Sequence, residues 1–217
     1  MNDYSEQAEV KKNALFVRNN YVKAYNILQE GNLQEAYSLF DSNNSIHGCA
    51  YCRFLQGNIT EAKILLNLIK GESSAVNWLI ALTEIIEGTN ENYPTYLQIR
   101  NFYEQDLDML FQYNQKEIAG KIINQNYYLE YYNREIYKYS ARVLFNYNLI
   151  EKSEKLLRKS LDIFYNDPET HFILGEIYLK QGKIQKAKGA FETANEVSGL
   201  YGPAYKKIIE IERNYTL

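Results

Sequence analysis

A local pattern that recurs along the whole chain limits what it can fold into. Gly31, Gly57, Gly88, Asn114, Asn148 and Gly182 each follow an apolar stretch of helical period. Glycine and asparagine tolerate the left-handed backbone that ends a helix, so each residue reads as a turn between two helices. Five residues after these anchors stand Ala36, Ala62, Tyr93, Ala119, Ser153 and Ala187, small in five of six. Nine residues after them stand Phe40, Leu66, Leu97, Ile123, Leu157 and Phe191, large and apolar throughout. A short side chain lets two helix backbones approach, and a large one fills the groove beside it. Agreement at both columns makes the chain a tandem array of helix pairs.

Composition points the same way. Eleven glycines and three prolines in 217 residues are too few for the turns of a sandwich or barrel. With 46% hydrophobic and 24% charged residues, the chain is globular rather than disordered. Its 24 Lys and Arg against 27 Asp and Glu leave a net charge of −3, without the basic footprint of a nucleic-acid binder, so no nucleic-acid partner is expected. The longest apolar run, 75–86, is short and contains Asn77 and Glu84, so no membrane partner is expected either. Residues 1–20 hold no apolar core after a basic start, which reads as the absence of a secretory signal. Only two cysteines agree with a reducing, cytoplasmic location.

The segment Pro168–Leu200 is the clearest unit. Leu174-Gly175, Tyr178, Gly182, Ala187, Phe191 and Ala194 fall at the offsets of the 34-residue tetratricopeptide pattern, and Asp167 before Pro168 supplies a helix start. Asn148 and Asn114 lie one and two periods upstream of Gly182, while the spacings of 26, 31 and 26 between earlier anchors depart from 34. The chain thus resembles the tetratricopeptide-repeat superfamily over most of its length. The resemblance implies an all-α fold, a right-handed superhelix of antiparallel helix pairs, irregular in the N-terminal half. No Gly/Ser-rich or Pro-rich linker interrupts it, so residues 1–217 read as one domain of about six helix pairs. At Tyr93 the small column fails, and Pro94 delays the second helix of that unit. Asp3 with Glu6 forms a cap pair, and residues 4–30 read as one long helix or two. Pro203 opens a terminal capping helix, 203–214, with Ala204, Tyr205, Ile208 and Ile211 on one face.

Chemistry-bearing motifs are sparse. Cys49-Ala-Tyr-Cys52, preceded by His47, is the one redox- or metal-like motif, and the only other histidine is His171, several repeats away. Two small apolar residues at a helix crossing explain the cysteines better than a metal or redox enzyme does. A packed or half-exposed side chain likewise explains His171. Pairs such as Asp106/Asp108 and Glu169/Glu176 read as solvated helix charges. No hydrolase elbow, phosphate loop, zinc helix or dinucleotide fingerprint is present. The expectation is a non-enzymatic protein without cofactor or metal.

The resemblance implies a concave face built from the first helix of each unit. The family's inward positions fall on Tyr21 and Tyr25, on His47, Tyr51 and Phe54, and on Phe111. In the last two units they include Lys138, Arg142 and Phe145, then Phe172, Glu176 and Leu179. The twelfth position recurs as Leu28, Phe54, Ile85, Phe111, Phe145 and Leu179. That strip either grips an extended peptide or finishes the packing between neighbouring first helices. A clamp on a peptide carboxylate through Lys138 and Arg142 is disfavoured by the acidic Glu176, Glu104 and Asp108 nearby. Twenty-one tyrosines, including Tyr127, Tyr128, Tyr131 and Tyr132, reflect an interface or a compositional bias. The leading reading is a scaffold or adaptor for a protein or peptide, with a dedicated secretion or assembly chaperone as the alternative and oligomeric state open.

Overall fold

All six anchors take the left-handed conformation, with φ of +92° at Gly31, +85° at Gly57, +77° at Gly88, +60° at Asn114, +58° at Asn148 and +70° at Gly182. The bonds around them repeat too. Gly182 N–H donates to the Leu179 carbonyl and Lys183 N–H to that of Tyr178. The same pair of bonds closes the helices before Gly31, Gly57, Asn114 and Asn148. This double bond satisfies carbonyls that a helix end otherwise leaves open.

The computed structural model describes residues 20–89 and 91–215, so the Asp3/Glu6 cap pair lies outside the described residues. Every element among those residues is helical. They divide after Gln125 into two compact units. In the first unit α1 (20–29) and α2 (Leu33–Ser42) join at Gly31, and α3 (Ile46–Leu55) and α4 (Ile59–Leu68) at Gly57. Next come α5 (Ser74–Glu87), α6 (Tyr96–Gln98), a π-helical turn (Ile99–Tyr103), α7 (Glu104–Gln112) and α8 (Lys116–Asn124). Side-chain caps fix several starts: Ser45 accepts from Gly48 N–H, Ser73 from Val76 N–H, and Thr95 forms a capping box with Gln98.

The second unit holds α9 (Asn126–Leu129), α10 (Ile136–Asn146), α11 (Ile150–Ile163), α12 (Pro168–Lys180), α13 (Ile184–Ser198) and α14 (Gly202–Tyr215). Asp167 caps α12 by accepting from Glu169 N–H, with Pro168 in the first turn. Its core gathers Ala141, Leu157, Leu174, Ile177, Ala187, Phe191 and Ala194, and α14 closes it with Ala204 and Ile211. Tyr205 stands off that stripe at 51% exposure, so only its neighbours belong to the packed face. Among the described residues no helix is long and apolar enough to cross a membrane.

The small column holds wherever a second helix follows the anchor, and the large column holds there too except at Ile123, which is half-buried beside the buried Ile122. Ala36, Ala62, Ala119, Ser153 and Ala187 are fully buried, as are Leu66, Leu157 and Phe191. At Gly88 no second helix forms in register. Tyr93 and Leu97 are 64% and 61% exposed, so Leu97 fills no groove. The stretch around Pro94 stays unwound, and the helix that starts at Tyr96 runs through to serve as first helix for the Asn114 unit.

The large residues seat against glycines. A Cβ on Gly175 would lie 2.4 Å from the Phe191 ring, and one on Gly48 2.2 Å from the Phe40 ring. Gly175→Ala is expected to cost about 1–2 kcal/mol, because overpacking outweighs alanine's helical advantage. Gly189→Ala in α13, where an added Cβ meets nothing within 4 Å, is expected to gain about 0.5–1 kcal/mol. Urea denaturation of the two variants checks the contrast.

Candidate functional site

In the second unit the first helices α10 and α12 face each other through charges. Lys138 is buried on α10, its Nζ 2.8 Å from Glu135 Oε1, 3.0 Å from Asp167 Oδ2 and 3.5 Å from Glu169 Oε2. Burial alone would lower the Lys138 ammonium, but hydrogen bonds to Glu135 and Asp167 raise it overall. Burial likewise raises the Asp167 carboxyl, yet the Thr170 hydroxyl and Lys138 hold it below its usual range. Lys138 therefore ties two helices together and leaves no donor for an incoming peptide. The residue expected at a partner surface is a structural post.

The rest of that face is open. Arg142 Nη1 meets Glu169 Oε1 at 2.5 Å, and Lys207 of α14 reaches Glu176 at 3.0 Å. On the same helical stripes as Arg142, Glu169 and Glu176, the side chains of Phe145, Phe172 and Leu179 are half-buried. The Lys180 ammonium lies 4.4 Å from the centre of the Phe145 ring. The Phe172 and Phe191 rings meet at 5.4 Å with a tilt of 51°.

Of the twelfth-position strip, Leu28 and Phe54 are 0% exposed, and Ile85 and Phe111 are buried as well. In the first unit that strip is core, which removes Phe54 and Phe111 from any partner surface. Tyr21, Tyr25, His47 and Tyr51 instead come together around a cavity of about 170 Å³. Phe40, Gly48, Tyr51, Trp78, Leu79 and Asp106 form its buried floor, and Tyr21, Tyr25, Phe102 and Gln105 its rim. Asp106 is 8% exposed, not a solvated helix charge. Its Oδ1 accepts from Tyr51 Oη–H at 2.6 Å and its Oδ2 from Trp78 Nε1–H at 2.6 Å. Burial pushes its carboxyl up to about 6 against the pull of these two donors. Burial also lowers the His47 imidazole, whose Nδ1 lies 3.4 Å from Tyr21 Oη. Gln105 Nε2–H donates to Tyr25 Oη. Sequence reasoning missed Asp106 and Trp78. The signal was the period: Asp106 falls on the buried stripe Ile99, Tyr103, Leu107, Leu110, just after the π turn.

Cys49 and Cys52 are buried, unpaired thiols. Burial, then the neighbouring Cys49, pushes Cys52 up to about 12, which keeps it protonated rather than nucleophilic. Among the described residues no three His, Cys, Asp or Glu side chains are grouped to hold a metal ion. His171 is buried, its Nε2 2.8 Å from the Tyr165 carbonyl oxygen. Tyr127 and Tyr131 are exposed, and the Tyr131 and Tyr132 rings meet edge-on at 5.2 Å.

The chain is similar in structure to tetratricopeptide-repeat proteins. A repeat protein from Parabacteroides merdae aligns over 91% of this chain and 99% of its own at 14% identity and a TM-score of 0.40. A thermophilic one from Thermus thermophilus aligns over 90% and 98% at 13% identity and 0.37. MamA from MSR-1 aligns over 85% and 96% at 15% identity and 0.36. No protein-family model matches the chain, and no curated protein matches it in sequence.

Two variants separate the two buried charges. Lys138→Met leaves the buried Asp167 without its ammonium partner and is expected to cost about 3–5 kcal/mol in urea denaturation at pH 7. Asp106 has the opposite sign. Its carboxyl is raised on folding, so its contribution is fully present below the unfolded value near 3.8 and is lost as pH rises through about 6. In Asp106→Asn the amide can accept from Trp78 and donate to the Tyr51 oxygen. Thermal melts should show wild type losing about 2–3 kcal/mol relative to Asp106→Asn between pH 4 and pH 8.

Proposed function

We propose that the chain is a non-enzymatic interaction scaffold that takes a peptide or partner protein on the open face of α10 and α12. One observation carries this reading: the half-buried Phe145, Phe172 and Leu179 share the helical stripes of α10 and α12 with Arg142, Glu169 and Glu176, which form the charged pairs Arg142–Glu169 and Lys207–Glu176. Apolar anchors surrounded by a polar rim are what a protein interface requires. The pairing within the face leaves it mixed in charge, which suits a partner segment with both apolar and polar groups over an anionic peptide end. The buried Cys52 thiol, pushed up to about 12 and so protonated, favours a packing role for that residue over a redox one.

Phe145→Ser with Leu179→Ser tests the surface. Both side chains are half-buried, so the double variant is expected to keep its helical circular dichroism. Affinity capture from native lysate should retain a defined partner on wild type and lose it by about tenfold or more on the double variant. Equal capture by both proteins would move the binding surface elsewhere.

A further inference from the structure

The cavity of the first unit has a composition that the scaffold reading does not use. Among the described residues that line it, six of twelve are aromatic, Asp106 is the only carboxylate, and none is a lysine or arginine. Asp106 receives two donors, both neutral, and no described lysine or arginine pairs with it. A carboxylate offers about four acceptor positions, so each oxygen keeps one in reserve. Burying such a charge without a cation is costly, and a cation supplied by a ligand would offset that cost. Aromatic walls attract a positive head through their ring faces, most strongly when water is excluded. Burial keeps His47 neutral near pH 7, so it brings no competing positive charge. The volume, about 170 Å³, is close to an engineered cavity that takes up benzene and below the roughly 300 Å³ where drug-sized pockets begin. It suits a head group rather than a whole metabolite.

We infer that this cavity receives an organic ammonium group, its apolar substituents against Tyr25, Tyr51 and Trp78 and its charge toward Asp106. The ammonium belongs to a free alkylamine or to a lysine side chain, bare or methylated, carried by a peptide. The inference rests on the cavity alone, so failure of the α10–α12 scaffold reading leaves it standing, and the reverse holds too.

Trp78 is the chain's one tryptophan and lines the cavity, so its emission reports occupancy directly. The full chain is titrated with choline and with 3,3-dimethylbutan-1-ol, which has the same shape without the charge. Short peptides bearing trimethyllysine, lysine or norleucine form the second arm. An ammonium probe is expected to bind about tenfold tighter than its neutral counterpart at pH 8. Binding by choline assigns a free amine, and binding confined to the lysyl peptides assigns a side chain. Among the described residues, the polar and titratable groups lining the cavity with Asp106 are Tyr21 and Tyr25 from α1, His47 and Tyr51 from α3, Trp78 from α5 and Gln105 on its own helix, while α2 contributes the apolar Phe40. Of these, Asp106 titrates at about 6, and protonating it, or the His47 imidazole that burial lowers, opposes a cation. Ammonium affinity should therefore fall about tenfold or more from pH 8 to pH 5, while the neutral probe holds constant. Asp106→Asn should abolish the preference for charge with its helical circular dichroism intact. If that variant does not fold, Tyr25→Leu at the half-buried rim decides, with an expected loss of about threefold. Equal binding of charged and neutral probes, or no ammonium-dependent change in Trp78 emission at millimolar concentration, would overturn the inference.

Discussion

A left-handed residue at the end of each first helix sets the register of all that follows. With the helix closed at Gly182 or Asn148, the next helix starts within two residues, and the fifth and ninth residues after the anchor must turn toward the helix just left. Small residues then lie at the crossing and large ones beside it, buried together. Packing in each hairpin thus follows from a backbone constraint that only a few residue types satisfy without strain. Side chains seated on glycines, as Phe191 is on Gly175, convert that register into a close fit.

This constraint explains why most of the fold is legible in the sequence and where legibility stops. Gly31 to Gly57 and Gly88 to Asn114 span the same number of residues, yet they fold differently. The first interval has Asn44 near its middle, left-handed at φ +53°, and divides into two ten-residue helices. The second has no such residue in mid-course and carries Pro94 near its start, so it yields an unwound stretch and one long helix. Counting spacings does not separate these cases, whereas the chemistry at the midpoint does. The candidate surfaces were legible by position but not by depth. The family resemblance implied inward first-helix positions for Tyr51, Phe54, Phe111 and Lys138, but neighbouring helices cover all four, and those neighbours are distant in sequence.

The two units treat a buried carboxylate in opposite ways. Asp167 has the Lys138 ammonium and the Thr170 hydroxyl, stays ionised and joins α12 to α10. Among the described residues Asp106 has only the Tyr51 hydroxyl and the Trp78 indole, and burial dominates its titration. A paired charge of the first kind is structural, since removing either member strands the other. A charge held only by neutral donors at the floor of an aromatic cavity leaves a place for a cation from outside. The α10–α12 face, with its charges already paired and its aromatic residues half open, is suited to broader contact with a polypeptide.

Crosslinking mass spectrometry in native lysate, with a lysine-reactive reagent and the full chain, tests the scaffold claim most directly, because it reads partner and contact face together. Lys180 and Lys207 border Phe145, Leu179 and Glu176, whereas the exposed Lys152 and Lys155 lie on the second helix α11. The account predicts partner crosslinks concentrated at Lys180 and Lys207. Crosslinks concentrated at Lys152 and Lys155, or none to any protein, would contradict it.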